Sequence, residues 1–169
     1  MTHFNATALA NQLGQMLLAK QEMVTVAESC TGGLIASYIT SVPGSSAWFR
    51  MGWVTYSNSA KTQLLGVDGK KIAQEGAVSH YTVQQMAQHA LRIAQAHWSI
   101  AVSGIAGPSC KNQENQLDKT PIGSIWFAIA NLQKTPLVFH RQLSGSRYQI
   151  RHQATKIALI ELVSALKNQ

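Results

Sequence analysis

Only two cysteines, Cys30 and Cys110, occur in 169 residues. That is too few for a disulfide framework, and neither belongs to the Cys-x-x-Cys pair of a zinc or thiol-exchange site. A reducing compartment is expected, and the cytoplasm fits. The six histidines show no His-x-x-x-His or mixed His/Cys spacing, so neither a catalytic metal nor another cofactor is expected. No apolar run approaches the roughly 20 residues that cross a bilayer. The opening Met1-Thr2-His3-Phe4-Asn5 lacks the basic and apolar regions of a signal peptide, which argues against a membrane partner. Charge is scarce at 12%, whereas hydrophobic residues reach 46%, enough to offset the entropy of ordering one core. With no repeat, linker or low-complexity tract, residues 1–169 are expected to form a single domain.

The charge that is present is lopsided. Fourteen Lys+Arg against seven Asp+Glu give +7, which favours an anionic partner. The basic residues are scattered, with Lys70-Lys71 the longest run. There is no polybasic arm to track a phosphate backbone, and a small anion is favoured over nucleic acid.

Periodicity outlines the elements. Leu9, Leu13, Met16 and Leu17 fall on one helical stripe that Asn5 is placed to cap. Met23-Val24-Thr25-Val26-Ala27 reads as a buried strand running into the small-residue turn Glu28-Ser29-Cys30-Thr31-Gly32-Gly33. A helix over 32–41, stopped by Pro43-Gly44, precedes a strand over 49–56 and a short helix capped by Asn58. Val83, Met86, Ala87, Ala90, Leu91 and Ala94 mark a long helix opened near Ser79 or Thr82, followed by a strand over 99–103. After a polar loop over 108–121, strands over 122–130 and 136–141 read as a hairpin. A last helix follows Ser144-Gly145-Ser146, with Ile150, Ala154, Ile157 and Ala158 inward. Alternating helices and strands with one antiparallel hairpin predict an α/β fold of α/β/α layers around a mixed sheet. Ligands of such sheets gather beyond the carboxyl ends of the strands.

Four segments are candidates for chemistry. The 27–33 segment has glycines and a helix start suited to an anion, although it matches neither a Walker loop nor a dinucleotide fingerprint, and it reads equally as a structural turn. Gly44-Ser45-Ser46-Ala47-Trp48 exposes hydroxyls at a turn where a serine also serves as a cap. From Ser29 to Val67 there is no Asp, Glu or His, so a serine there lacks a local imidazole base. Lys61 is close in sequence, and a desolvated, uncharged lysine accepts a proton from a serine hydroxyl. Ser46 and Lys61 are therefore the candidate nucleophile and base, with Tyr56 orienting one of them. The alternative is a cap, a solvated lysine and a core aromatic. Ser103-Gly104-Ile105-Ala106-Gly107-Pro108 is a further strand-end turn suited to an anion or a flat ring. Arg147 and Arg151, after Ser144-Gly145-Ser146, form either a phosphate clamp or solvated surface.

Taken together and in order, Ala27-Glu28-Ser29-Cys30-Thr31-Gly32-Gly33, Gly44-Ser45-Ser46-Ala47-Trp48-Phe49, Thr55-Tyr56-Ser57-Asn58-Ser59-Ala60-Lys61, Gly76-Ala77-Val78-Ser79, Ser103-Gly104-Ile105-Ala106-Gly107-Pro108 and Pro121-Ile122-Gly123 resemble the CinA C-terminal domain family. The resemblance spans nearly the whole chain. It implies a nicotinamide-nucleotide amidohydrolase that converts nicotinamide mononucleotide to nicotinic acid mononucleotide and ammonia in pyridine nucleotide salvage. It implies Ser46, Lys61 and Tyr56 as catalytic residues. Ser29, Thr31, Gly32, Gly33, Ser45, Ser103, Gly104, Ile105, Ala106, Gly107 and Arg147 are implied to line the site for a phosphorylated pyridine nucleotide. A homo-oligomer is expected for a small metabolic enzyme. The family name offers an alternative, a non-catalytic nucleotide-sensing or protein-binding module linked to competence or DNA damage. The chain departs from the family pattern after Gly107-Pro108, where Ser109-Cys110-Lys111 opens a polar segment reaching Thr120.

Overall fold

The computed structural model describes residues 6–108 and 120–168. The expected cap Asn5, Cys110 and most of the polar 108–120 segment lie outside the described residues. Five strands form one sheet in the order β2-β1-β3-β4-β5: β1 is Val24–Glu28, β2 Phe49–Val54, β3 Trp98–Gly104, β4 Ser124–Asn131 and β5 Leu137–Gln142. β1 pairs in parallel with both β2 and β3, while β4 is antiparallel to β3 and to β5. The mixed sheet and its terminal hairpin are as expected from the sequence.

Six helices cover it: α1 Ala6–Lys20, α2 Leu34–Thr40, α3 Asn58–Leu65, α4 Gly69–Glu75, α5 His80–Ala94 and α6 Arg147–Lys167. Side chains of alternate strand residues enter opposite layers, as the period of two requires. Val24, Val26, Ile100 and Val102 join the cluster beneath α1, α2 and α6, whereas Ala27 and Ala101 join the one beneath α5. Small alanines on that second face let α5 lie close to the sheet. Ser79 caps α5, and Ser146 caps α6 in a reciprocal box with Gln149, satisfying amides that the first helical turn leaves free. α3 is capped by Ser57 rather than Asn58. α4 had no expected counterpart: its seven residues are too few for a clear apolar period, and its start is set by the Asp68 carboxylate accepting from the Lys70 and Lys71 amides. No described helix is long and apolar enough to cross a membrane.

One consequence of strand order positions the site. From β1 the chain steps outward to β2, then returns to place β3 on the other side of β1. The loops leaving the carboxyl ends of β1 and β3 diverge there, opening a crevice.

Candidate active site

The turn after β1 begins with Ser29, whose amide donates to the Val102 carbonyl of β3 at 3.0 Å. Two left-handed glycines, Gly32 (φ 60°) and Gly33 (φ 91°), then fold the backbone into α2, a conformation that residues with a Cβ rarely adopt. On the other side of β1, the Thr55 amide just beyond β2 donates to the Glu28 carbonyl at 2.8 Å. That bond leads the chain into α3, which sends Lys61 back under the sheet edge.

Lys61 is 2% exposed, one of the largest fully buried side chains in the molecule. Its Nζ lies 3.1 Å from Ser29 Oγ and donates to the Thr55 carbonyl at 2.9 Å. Burial disfavours the charged ammonium and lowers its pKa from 10.5 to about 8, with the Cys30 thiol pulling weakly the other way. With a pKa of about 8 only a minority of this lysine is uncharged at neutral pH, but far more than of a solvated lysine, and that neutral form, its lone pair facing a hydroxyl, is equipped to take the hydroxyl's proton. Cys30 is a different case: burial pushes its thiol up to about 12, which makes it a poor nucleophile despite its place beside Ser29.

The expected partnership of Ser46 with Lys61 is corrected by this geometry. Ser46 is exposed in a short 3-10 turn, Ser45–Ala47, which precedes β2, and the Trp48 carbonyl just after it binds the Val24 amide at the start of β1. Lys61 lies beyond the other end of β2. The six residues of that strand, about 20 Å of extended chain, separate the two. Ser45 shares the far edge and is equally remote from the crevice. Closeness in sequence misled because a complete β-strand runs between the two positions.

A cavity of about 190 Å³ opens over Ser29 and Cys30, walled by Tyr56, Arg147 and the 104–108 turn. Gly104, Ile105, Ala106, Gly107 and Arg147 thus line it together. Gly104 has no room for a side chain, since a Cβ there would lie 2.3 Å from Ile125 Cδ1 and 2.7 Å from the Ser124 carbonyl. Tyr56 also reaches the cavity, but its hydroxyl accepts from Arg147 Nη2 and does not bond Lys61. Four other expected contacts are differently used. The Gly32 amide donates to the Ser29 carbonyl and the Gly33 amide to Glu28 Oε2, so neither is free for a phosphate. Ser103 is buried with its hydroxyl donating to the Ala77 carbonyl. Thr31 is fully buried, its Oγ1 without a hydrogen-bond partner. Sequence reasoning took Ser29 as a ligand contact only. The signal for more was its position at the first residue after a buried strand, before a glycine turn and a helix, the arrangement that lifts a serine above a sheet edge. Arg151, read as clamp or surface, donates to the Cys30 and Thr31 carbonyls and braces the turn. Among the described residues no group of three or more His, Cys, Asp or Glu side chains could hold a metal ion.

Residues 6–166 match the CinA C-terminal domain. The chain belongs to that family. It is 45% identical over 159 residues to the nicotinamide-nucleotide amidohydrolase PncC of Escherichia coli K12, covering 94% of this chain and 93% of that one. It is 44% identical over 155 residues to the protein of the same name from Pseudomonas putida, covering 90% and 92%. A CinA-like protein of Endomicrobium trichonymphae is 40% identical, but the match covers only 35% of that longer chain. Among solved family structures, a CinA superfamily protein from Klebsiella pneumoniae superposes with a TM-score of 0.89 at 31% identity, covering 98% of this chain and all of that one. A competence/damage-inducible protein from Agrobacterium tumefaciens gives 0.87 at 38%, with both chains fully covered.

Proposed function

We propose that this chain hydrolyses the carboxamide of nicotinamide mononucleotide to nicotinic acid mononucleotide and ammonia, with Ser29 as nucleophile and Lys61 as general base. The observation behind this reading is the buried amine 3.1 Å from Ser29 Oγ at the floor of a cavity. The names of full-length relatives support the substrate.

In this mechanism neutral Lys61 accepts the Ser29 proton as Oγ attacks the carboxamide carbon. The Lys61 ammonium then gives that proton to the amide nitrogen as the C–N bond breaks, ammonia leaves, and an ester to Ser29 remains. Water, deprotonated by Lys61, adds to the ester carbon, the bond to Ser29 Oγ breaks, and the Lys61 ammonium returns the proton to that oxygen. The Thr55 carbonyl holds one amine hydrogen throughout, which keeps the lone pair aimed at the hydroxyl. Arg147, steadied by Tyr56 at the rim, pairs with the substrate phosphate, a use of guanidinium that suits the net positive charge. Pyridine nucleotide salvage in the cytoplasm, by a homo-oligomer, completes the reading.

The test is ammonia release from nicotinamide mononucleotide in the presence of a chelator, comparing wild type with Ser29→Ala, Lys61→Ala and Ser46→Ala. Loss in the first two and retention in the third is the expected result. Saturable binding without wild-type turnover would instead favour a non-catalytic nucleotide-sensing module, and activity surviving Ser29→Ala would refute the assigned nucleophile.

A further inference from the structure

Glu28 is fully buried at the last position of β1, directly before Ser29. Among the described residues no ion pair joins it to a Lys or Arg nitrogen. Its charge is met by backbone instead: Oε2 accepts from the Gly33 amide at 3.0 Å and the Ile35 amide at 3.2 Å, and Oε1 from the Ala36 amide at 2.9 Å. Taking a carboxylate out of water is costly unless hydrogen bonds replace the hydration. A neutral serine or asparagine would cap a helix of seven residues at far less cost. The excess is explained if the rigidity is needed nearby. Three amides on one side chain tie both ends of the 29–33 turn together, the β1 residue before it and the first turn of α2 after it. From the opposite side Arg151 Nε and Nη2 hold the Cys30 and Thr31 carbonyls at 3.1 and 2.8 Å. Ser29 is thereby fixed between two clamps, so that its Oγ has little freedom to leave Lys61.

We propose that Glu28 is a positioning residue for the reaction: by binding the amides of Gly33, Ile35 and Ala36 it sets the 29–33 turn and holds Ser29 Oγ within reach of the Lys61 amine. The proposal rests on the Ser29/Lys61 reading above. An error of about 1 Å in such a placement costs on the order of 100-fold in rate, so the effect belongs in kcat rather than in substrate affinity.

Glu28→Gln keeps the shape but turns one acceptor into a donor facing an amide, and Glu28→Asp keeps both acceptors but withdraws them by one methylene. Each is compared with wild type and Ser29→Ala in steady-state ammonia release from nicotinamide mononucleotide. A second measurement is the rate of labelling by a fluorophosphonate, in which Ser29 Oγ bonds to phosphorus, fluoride leaves and Lys61 takes the proton. For Glu28→Gln we expect kcat and labelling both to fall about 10- to 100-fold with KM within about threefold, and Glu28→Asp to lie between it and wild type. A folded Glu28→Gln with kcat and labelling within about twofold of wild type overturns the proposal, as does a fall in kcat with unchanged labelling. If Glu28→Gln does not fold, Glu28→Asp decides by the same two measurements. Wild-type labelling at a residue other than Ser29, or activity in Ser29→Ala, removes the underlying Ser29/Lys61 reading whatever the Glu28 variants do.

Discussion

Two serine-bearing turns sit at opposite edges of the same sheet, and in sequence they look alike. Each follows a structured segment, contains glycine and small hydroxyl residues, and lies within a few tens of residues of Lys61. At the amino edge, Ser46 is exposed to water and has no hydrogen-bonding base. At the carboxyl edge, Ser29 is buried beside an amine that desolvation has brought to a pKa of about 8. Residue type is the same at both edges, so the difference in chemistry comes from surroundings: a hydroxyl becomes a nucleophile where the fold delivers a base and excludes water.

The sharpest way to break this comparison is to remove each hydroxyl in turn. Ser29→Ala should lower kcat by about 10³-fold or more, while Ser46→Ala should stay within about twofold; the reverse pattern in steady-state ammonia release would return the nucleophile to the amino edge. Next in size is the pH response. The base works only when uncharged, so kcat should fall about tenfold per unit as pH drops below about 8 and level off above it. A pH–rate profile with no inflection between 7 and 9 would contradict the assigned base. Arg147→Ala should raise KM for the mononucleotide by about tenfold or more, the worth of a charge-assisted hydrogen bond, and should do so far less for the dephosphorylated nucleoside. The smallest effect concerns stability. Lys61 sheds its proton at about 8 in the folded protein but near 10.5 when unfolded. Between those values the unfolded chain binds more protons, and wild-type stability should climb with pH; below about 8 both states are charged and the cost of burial stands in full. Lys61→Met should therefore unfold at higher denaturant concentration than wild type at neutral pH, by an amount on the order of 1 kcal/mol, while losing activity and most of that pH dependence. Urea titrations at pH 7 and 10 check both.

Much of the fold was legible because its elements are strongly patterned. The β-branched run of β1, the apolar stripe of α5 and the serine caps of α5 and α6 are local signals, and each appears where the chain chemistry placed it. Lys61 was legible for a related reason: a lysine in a stretch without carboxylates is a candidate for a shifted pKa wherever it is buried. The partner of Lys61 was not legible. Ser46 is fifteen positions away and Ser29 thirty-two, and only the parallel pairing of β1 with β2 decides which is near. The bracing roles of Glu28 and Arg151 were not legible for the same reason, since their partners are backbone groups whose directions depend on the turn they themselves maintain.

The amino-acid sequence by itself determined that there would be helices of given faces, buried strands, glycine turns able to bend sharply, and a cation with no nearby counter-charge. These follow from side-chain shape and polarity over a few neighbouring residues. The tertiary structure alone decided that the ends of β1 and β3 open a crevice, that Ser29 meets Lys61 there, and that Ser46 is left on the far side. Those outcomes depend on strand order and parallel register, which are set by how apolar faces on distant segments pack together rather than by any local run of residues.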